Sequence, residues 1–283
     1  MAKIIDGRAV AASVRAGLKA ECEQFYSDNG FRPGLAVIIV GEDPASQVYV
    51  RNKEKGCNEV GFYSEVYRLP ADTTEQTLLA LVDKLNKDDK IHGILCQLPL
   101  PKHLDETKVI LAIDPSKDVD AFHPENVGKI MIGNYSFLPC TPAGVMKLIE
   151  STGVDISGKE CVVIGRSNIV GKPQAMLLLQ KNGTVTICHS RTKDLAEVTR
   201  RADILVVAIG KADFITGDMI KEGAVVIDVG MNRKDDGKLT GDVDFASCEP
   251  KASFITPVPG GVGPMTITML LQNTMTSAKN HLK

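Results

Sequence analysis

Tyr49 and Lys53 are the residues whose types and spacing most directly suggest chemistry. They are four residues apart in a segment whose Asp43-Pro44 start predicts a helix over residues 44–60, so both side chains lie on one helix face. A phenol and an amine on one face can bind the same ligand. Lys53 acts as a base near neutral pH only if burial in a cleft lowers its pKa from about 10.4. The alternative is a surface tyrosine that packs on a lysine stem.

Polar side chains in two later segments are candidates to join this pair. Gln97 closes an apolar run and precedes Leu98-Pro99-Leu100-Pro101, where two prolines force an extended turn. An amide there can donate and accept hydrogen bonds at the mouth of a cleft. Asp118 and Asp120 lie on the same side of an extended segment, where an unpaired carboxylate can recognise an amino-pyrimidine ring, although two turn-forming aspartates would look the same. A metal site needs more ligands at a readable spacing, so we expect none.

A glycine-containing turn begins where the apolar run of residues 161–164 ends. The turn reads Gly165-Arg166-Ser167-Asn168-Ile169-Val170-Gly171, and a helical pattern follows it. This order of strand, turn and helix is typical of phosphate-binding loops, because a helix N-terminus offers free N–H groups and a favourable dipole. The turn departs from Gly-x-Gly-x-x-Gly, since Ser167 replaces the second glycine and Gly171 comes one residue late. A turn that binds nothing therefore stays an alternative.

The end of the next predicted strand favours NADP over NAD. An Asp or Glu about 20 residues past the turn usually holds the free ribose 2′-hydroxyl of NAD. Here the strand ends in His189-Ser190-Arg191-Thr192 instead. A hydroxyl and a cation suit a 2′-phosphate through charge-assisted hydrogen bonds. The alternative is that Arg166 and Arg191 are solvated surface charges.

Short apolar, β-branched runs alternate with helical patterns along the chain and would position these residues. This alternation predicts an α/β fold with mainly parallel strands. The predicted strands cover residues 35–40, 91–97, 161–164, 185–188, 204–209 and 224–229. The predicted helices cover residues 7–28, 44–60, 74–87, 142–151, 170–181 and 265–280. We expect two α/β domains that meet near residue 140 and flank a cleft, the second a Rossmann-type parallel sheet that binds a dinucleotide.

Composition excludes several classes of protein. The 283 residues, with a net charge of -2 and 43% hydrophobic residues, predict one large or two medium domains. The absence of a basic block argues against nucleic acid or anionic lipid as a partner, and no apolar run approaches the roughly 18 to 20 residues that span a bilayer. Asp6 and Arg8 interrupt the N-terminus before any signal-peptide core, so we expect the cytoplasm. Seven cysteines without a C-x-x-C pair are expected to be reduced packing residues.

A stiff turn of glycines and prolines precedes the last predicted helix, with no side chains to keep a ligand away. This turn and five earlier motifs together resemble the bifunctional methylenetetrahydrofolate dehydrogenase/cyclohydrolase family, the FolD type, over essentially the whole chain. The motifs, in order, are Tyr49-x-x-x-Lys53, Gln97-Leu98-Pro99-Leu100-Pro101, Lys117-Asp118-Val119-Asp120, Pro139-Cys140-Thr141-Pro142, Gly165-Arg166-Ser167-x-x-Val170-Gly171-x-Pro173 and Thr256-Pro257-Val258-Pro259-Gly260-Gly261-Val262-Gly263-Pro264-Met265-Thr266.

The resemblance implies an enzyme that oxidises 5,10-methylenetetrahydrofolate with NADP to the methenyl form and then adds water to give 10-formyltetrahydrofolate. Lys53 would transfer protons, Tyr49 would stack on or orient the folate, Gln97 would tune Lys53, and Asp120 would hold the pterin. The implied substrate-binding residues are Tyr49, Gln97, Leu98, Pro99, Asp120, Pro257, Gly260 and Gly261. The implied cofactor-binding residues are Gly165, Arg166, Ser167, Ser190, Arg191, Gly210 and Met231.

The resemblance also implies a folate-binding and catalytic domain of residues 1–140 plus 265–283, a Rossmann-type NADP-binding domain of residues 141–264, and a homodimer. Two positions depart from the family pattern, Ala121 where glycine is common and Met231 where isoleucine is common. A monofunctional dehydrogenase and a non-catalytic folate- or nucleotide-binding module stay as alternatives. A short-chain dehydrogenase is disfavoured, because its Tyr-x-x-x-Lys pair would follow the cofactor turn and not precede it.

Overall fold

A computed structural model describes residues 1–282 and divides into two compact units. The six-stranded unit, named for its sheet, contains Met1–Ala12 and Thr141–Thr266. The three-stranded unit contains Ser13–Cys140 and the chain from Ile267 onward. Residues 1–12 thus differ from the predicted division, which assigned them to the domain of residues 1–140. The physical reason is that strand β1, Lys3–Ile4, pairs with a strand of the six-stranded sheet.

The six-stranded unit contains a Rossmann-like sheet in which every neighbouring pair of strands is parallel. The order across the sheet is β1, β11 (Phe254–Ile255), β8 (Val225–Asp228), β7 (Ile204–Val207), β5 (Glu160–Ile164) and β6 (Thr184–Cys188). Ile164 is in register with both Cys188 and Val207. Because parallel strands in register end at one edge, the turns after β5, β6 and β7 lie side by side, where such folds bind ligands.

Helices and a small hairpin complete the six-stranded unit. They are α6 (Cys140–Ser151), which begins one residue before the unit, α7 (Gly171–Gln180), α8 (Leu195–Thr199), α9 (Phe245–Cys248) and the antiparallel pair β9 (Asn232–Arg233) and β10 (Leu239–Thr240). The apolar side chains of the parallel strands form the core. Its buried members include Val162, Ile164, Leu205, Val207, Val226 and Ile255.

The three-stranded unit is built on a parallel sheet with the order β3 (Tyr63–Leu69), β2 (Gly34–Val40) and β4 (Gly93–Cys96). Its helices are α1 (Gly7–Asn29), α2 (Pro44–Val60), α3 (Glu75–Asn86), α4 (Glu106–Ala112), α5 (Pro124–Met131) and α10 (Val262–Asn280), of which α1 and α10 each begin in the six-stranded unit. All seven residues of β2 are buried, as expected for the central strand of a covered parallel sheet.

The predicted α/β class with parallel sheets is confirmed, and each predicted helix and strand has a counterpart. Three predicted strands are shorter, since β4 ends at Cys96, β7 at Val207 and β8 at Asp228. The elements that the sequence analysis did not predict include β3, α4 and α5. No helix within residues 1–282 is both long enough and apolar enough to span a membrane.

Candidate functional site

Lys53 is held in the three-stranded unit by a helix with well-defined ends. Helix α2 begins where the Asp43 carboxylate accepts the N–H of Ser46 at 2.8 Å, and it ends at Gly61, whose φ of 82° is left-handed. With its ends fixed in this way, the helix places Lys53 on its buried face, where the residue is only 8% exposed. Its amine therefore needs hydrogen-bond partners from the protein in place of water.

Gln97 is the hydrogen-bond partner of that amine. Lys53 Nζ donates to Gln97 Oε1 at 2.7 Å, and Gln97 Nε2 donates to the carbonyl of Leu98 at 2.7 Å. Gln97 follows β4 directly, and its backbone N–H donates to Ile38 in the neighbouring strand at 2.8 Å. Because the side-chain nitrogen is occupied by Leu98, the oxygen faces Lys53. The amide is thus fixed in the orientation that the lysine requires.

Asp120 and Cys140 complete the electrostatic surroundings of Lys53. Burial lowers the pKa of Lys53, and the opposing charge of Asp120 limits that fall. Burial likewise raises the pKa of Asp120 against the attraction of Lys53. Burial, and then the Asp120 carboxylate, raise the pKa of Cys140 well above its usual value, so the residue stays a thiol. The Cys140 Sγ donates to Asp120 Oδ1 at 3.4 Å.

The two aspartates of the Asp118-Val119-Asp120 segment have different roles. Asp118 is buried, and its Oδ2 accepts the backbone N–H of His123 at 2.8 Å and Asn126 Nδ2 at 2.9 Å. Asp118 therefore folds the local turn, whereas Asp120 is the carboxylate beside Lys53. Ala121 follows it with a φ of 56°, a left-handed conformation that explains why glycine is common there in the family pattern.

Three further predicted substrate residues lie close in sequence or on the same helix. Tyr49 is on α2 one turn before Lys53 and is 38% exposed, so its ring is accessible. Leu98 is half-buried and Pro99 is exposed, directly after Gln97. The alternative of a surface tyrosine packed on a solvated lysine is wrong for Lys53, because this lysine is buried.

A separate cavity of about 290 Å³ lies in the six-stranded unit, at the carboxyl edge of the parallel sheet. Its lining combines apolar surface with a basic and polar rim. The lining residues are Ile164, Gly165, Arg166, His189, Ser190, Leu195, Ala208, Ile209, Lys211 and Phe214. Two cations, an imidazole and a hydroxyl at one cavity fit an anionic ligand such as a phosphorylated ribose.

The turn after β5 is tightly packed around two glycines. Gly165 has a φ of 125°, and a Cβ there would lie 2.2 Å from the carbonyl oxygen of Ala208. A Cβ on Gly171 would lie 2.2 Å from the carbonyl oxygen of Gly165. Ser167 accepts the N–H groups of Val170 and Gly171 at 3.1 and 3.3 Å. Ser167 therefore closes the turn with a hydrogen-bonding side chain where the common motif has glycine.

The cavity contains only some of the predicted cofactor residues. Gly165, Arg166 and Ser190 line it, whereas Arg191 does not, although both arginines are exposed. The remaining predicted residues of this unit also lie outside the lining, namely Ser167, Gly210, Met231, Pro257, Gly260 and Gly261.

His189, Lys211 and Phe214 are cavity residues that the sequence analysis did not predict. Lys211 could have been predicted from the sequence, since Gly210-Lys211 follows the end of a predicted parallel strand, where such folds bind ligands. Within residues 1–282, no group of three His, Cys, Asp or Glu side chains is arranged to hold a metal ion.

Comparison with known proteins gives a consistent result. The chain matches the catalytic domain of the tetrahydrofolate dehydrogenase/cyclohydrolase model over residues 5–120 and its NAD(P)-binding domain over residues 139–282. A protein of Acetivibrio thermocellus named Bifunctional protein FolD is 64% identical over 282 residues, which cover 100% of this chain and 99% of that protein.

Solved structures give the same result. The bifunctional enzyme FolD of Campylobacter jejuni is 52% identical with a TM-score of 0.96, over 99% of each chain. The Trypanosoma brucei N5,N10-methylenetetrahydrofolate dehydrogenase-cyclohydrolase, complexed with NADP cofactor and inhibitor, is 43% identical with a TM-score of 0.96, over 100% of this chain and 99% of that one. The chain belongs to the tetrahydrofolate dehydrogenase/cyclohydrolase family.

Proposed function

We propose that Lys53 is the proton-transfer residue of this bifunctional enzyme, acting in the hydrolysis step. Family membership gives the enzyme class: the chain is a methylenetetrahydrofolate dehydrogenase that uses NADP and a methenyltetrahydrofolate cyclohydrolase. The observation that supports the role of Lys53 is its buried amine, hydrogen-bonded to Gln97 at 2.7 Å and with a lowered pKa. A lysine of that kind has a larger neutral fraction near physiological pH than a solvated one.

Hydrolysis needs one group that can take a proton and return it. Water attacks the methenyl carbon, and the neutral Lys53 amine accepts the proton that the water loses as its oxygen bonds to carbon. The same proton then passes from Lys53 to a folate nitrogen as the bond between that nitrogen and the carbon breaks. The hydroxyl group on the carbon becomes the formyl C=O as its remaining proton leaves to the neutral Lys53 amine, so hydrolysis releases one proton to solvent overall. Gln97 Oε1 accepts a hydrogen bond from Lys53 and keeps the nitrogen in one place during these transfers.

The folate contacts are part of the same proposal. Tyr49 presents an accessible ring on the helix that carries Lys53, which suits stacking on or orientation of a flat heterocycle. Asp120 supplies a carboxylate that can accept hydrogen bonds from the amino-pyrimidine edge of the pterin. Leu98, Pro99, Pro257, Gly260 and Gly261 are proposed to border the substrate, together with Tyr49, Gln97 and Asp120.

The cavity beside Gly165 is the proposed NADP site. Arg166, Lys211 and Ser190 offer donors for a ribose 2′-phosphate, and the two crowded glycines keep side chains away from the turn at the start of α7. Bound NADP supplies the hydride acceptor for the oxidation. The chain itself needs only to bind and orient the two rings, because proximity and orientation account for much of such a rate enhancement.

A substitution of Lys53 tests the proton-transfer role. Lys53→Met keeps the length of the side chain and removes the amine, so we expect hydrolysis of 5,10-methenyltetrahydrofolate to fall about 100-fold or more while NADP binding stays unchanged. The measurement is the decay of the methenyl absorbance. Lys55→Met, an exposed lysine on the same helix, is the matched control. Normal hydrolysis by Lys53→Met would overturn the proposal.

A single pair of assays tests the whole function. The protein is mixed with 5,10-methylenetetrahydrofolate and either NADP or NAD, and reduced cofactor and methenyl absorbance are recorded together; methenyltetrahydrofolate is then added alone. We expect faster reduction of NADP than of NAD and accelerated decay of the methenyl compound. Reduction without accelerated decay would favour a monofunctional dehydrogenase, and no turnover in either assay would favour a binding module.

The roles of the two domains, the oligomeric state and the cellular compartment are proposed from the resemblance to the tetrahydrofolate dehydrogenase/cyclohydrolase family. We infer folate binding by residues 1–140 plus 265–283, of which residues 1–12, 265 and 266 belong to the six-stranded unit, and NADP binding by residues 141–264. We also infer a homodimer and the cytoplasm as the compartment. All seven cysteines are free and buried, as expected in a reducing compartment. Sedimentation equilibrium of the purified protein tests the homodimer, and a mass of one chain, 30.5 kDa, would contradict it.

A further inference from the structure

We propose that Asp242 is a positioning residue for the cofactor, because its carboxylate fixes the loop of residues 209–211 that forms one wall of the cavity. This inference rests on the proposed function, in which that cavity binds NADP. Asp242 lies outside every motif that the sequence analysis singled out, and it follows the short β9–β10 hairpin. It is completely buried, with 0% of its surface exposed.

The Asp242 carboxylate accepts four hydrogen bonds, three of them from consecutive backbone N–H groups. Its Oδ2 accepts Ile209 N at 2.7 Å and Gly210 N at 3.0 Å, and its Oδ1 accepts Lys211 N at 2.8 Å. The fourth donor is Asn232 Nδ2, at 2.8 Å from Oδ1. An ionised carboxylate offers about four acceptor positions, so every one is used. Ile209 and Lys211 line the cavity, and the carboxylate therefore sets the backbone from which both side chains project.

A second buried carboxylate holds Asp242 in place. Asp228, at the end of β8, accepts the backbone N–H groups of Asp242 and Val243, each at 2.9 Å, and that of Gly230 at 2.9 Å. The packing leaves no spare room, since a Cβ on Gly230 would lie 2.2 Å from the Asp242 carboxyl carbon. Asp228 thus holds the backbone of Asp242, and the Asp242 carboxylate in turn holds the loop of residues 209–211. The loop therefore has little freedom to move relative to the sheet.

The chemistry of the site makes the carboxylate difficult to replace. All four partners are donors, so a side chain at position 242 must accept on both of its terminal atoms. Asparagine has the same shape but presents an NH₂ group toward at least one of those N–H donors. Asp242→Asn therefore removes accepted hydrogen bonds and introduces a repulsion between donors, which displaces the loop.

The test compares two substitutions at opposite ends of strand β7. Asp242→Asn alters the loop after the strand, and Asp203→Asn alters a carboxylate before it that accepts Glu160 N at 3.0 Å and Lys221 Nζ at 2.6 Å. NADPH is titrated by its own fluorescence, excited in the absorption band of the reduced nicotinamide. KM for NADP, kcat of the dehydrogenase step, kcat/KM for methenyltetrahydrofolate hydrolysis and the melting temperature are measured for each folded variant.

We expect Asp242→Asn to raise the NADPH Kd and the NADP KM about tenfold or more, the loss associated with hydrogen bonds to a charged group. Hydrolysis, which needs no NADP, should stay within about twofold of wild type, and Asp203→Asn should leave the NADPH Kd unchanged. A purely structural role would instead lower both activities together with the melting temperature. A folded Asp242→Asn variant with the wild-type NADPH Kd would overturn the proposal.

A milder substitution covers the case in which Asp242→Asn does not fold. Asn232→Ala removes one of the four donors and is expected to raise the NADPH Kd about threefold; an unchanged Kd would overturn the proposal. Arg166→Ala separates this inference from the proposed function beneath it. An unchanged NADPH Kd in Arg166→Ala would show that the cavity is not the cofactor site, whereas a weakened Kd there with an unchanged Kd in Asp242→Asn would reject the role of Asp242 alone.

Discussion

The pKa of Lys53 decides the pH range in which the proposed hydrolysis step works. Only the neutral amine accepts a proton from water, so the hydrolysis rate should rise with pH through the Lys53 pKa and level off above it. Burial lowers that pKa, and the Asp120 carboxylate opposes the fall by favouring the charged amine. We therefore expect the midpoint of the rise to lie below about 10.4, the value of a solvated lysine.

Asp120→Asn tests this electrostatic coupling. The Asp120 carboxylate is the main group that opposes the effect of burial on Lys53, so its removal should lower the Lys53 pKa further. The rise of the hydrolysis rate with pH should then occur at lower pH, whether or not the maximal rate changes. The measurement is the pH profile of methenyltetrahydrofolate hydrolysis, compared with that of Glu54→Gln, a half-buried carboxylate of the same helix. A shift of the rise to higher pH in Asp120→Asn would contradict the coupling.

Two arginines differ in their relation to the cavity, and this difference predicts their effects on cofactor preference. Both are exposed, but Arg166 lines the cavity, whereas Arg191 follows the lining residue Ser190 and is not itself part of the lining. The backbone N–H of Arg191 donates to His189 Nδ1 at 3.1 Å. A charge-assisted hydrogen bond to a 2′-phosphate has a free energy of about 1.5–3 kcal/mol, so its loss should reduce the preference for NADP over NAD about 10- to 100-fold.

We expect Arg166→Ala to show that loss and Arg191→Ala to show a smaller one. The measurement is the ratio of kcat/KM for NADP to that for NAD at low ionic strength, since screening weakens exposed charges. Arg200→Ala, an exposed arginine that donates to the Asp218 carbonyl, is the control and should leave the ratio unchanged. An unchanged ratio in Arg191→Ala would show that this residue does not contribute to cofactor preference.

Residues whose role depends on local geometry could be predicted from the sequence. Residues whose role depends on contacts with parts of the chain far away in sequence could not. The four-residue spacing of Tyr49 and Lys53 follows from helix periodicity alone. The contact of Cys140 with Asp120 joins residues 20 positions apart, and that of Asp242 with the loop of residues 209–211 joins residues at least 31 positions apart. No short pattern marks such partners, so Cys140 was expected only to pack.

Elements with clear end signals were predicted better than elements without them. Helix α2 matches its predicted range, because Asp43 and Pro44 mark its start, and in the structure it ends before Gly61. Strand β3 was missed because it is an edge strand that is mostly half-buried and includes Glu65 and Arg68, so it lacks a continuous apolar run. Helices α4 and α5 have seven and eight residues, about two turns each, too few for a helical period to be evident.

The turn between β5 and α7 is expected to tolerate no added side chain. Gly171→Ala would place a Cβ 2.2 Å from the Gly165 carbonyl oxygen, so the turn must shift, and we expect NADP KM to rise and the melting temperature to fall. Gly17→Ala is the matched control, because this exposed glycine inside α1 has no atom within 4 Å of the added Cβ.

Gly17→Ala should raise the free energy of unfolding by about 0.5–1 kcal/mol, since alanine loses less conformational entropy in a helix. Steady-state kinetics with NADP and thermal unfolding of both variants give the comparison. Wild-type NADP KM in Gly171→Ala would show that the turn adapts without affecting the cofactor site.

At the scale of the whole molecule, neither unit is a continuous piece of chain. The six-stranded unit consists of residues 1–12 and 141–266, and the other unit takes the stretches between and after them. Helices α1 and α10 each contribute residues to both units. In each of these two helices, the backbone hydrogen bonds continue without a break from one unit into the other. Unfolding of the six-stranded unit must therefore break α1 after its residues 7–12 and α10 after its residues 262–266, which removes the helical hydrogen bonds that cross those points.

This continuity predicts that the two units unfold together. A ligand at 100 times its Kd stabilises the folded state by about 2.7 kcal/mol, which slows exchange through global unfolding about 100-fold. We expect saturating NADP to slow hydrogen exchange to that extent in the slowest amides of both β7 and β2, although only β7 belongs to the unit with the proposed cofactor cavity. Exchange measured by mass spectrometry after proteolysis checks this, with Arg166→Ala at the same NADP concentration as the control. Slowing in β7 with unchanged exchange in β2 would mean that the units unfold separately.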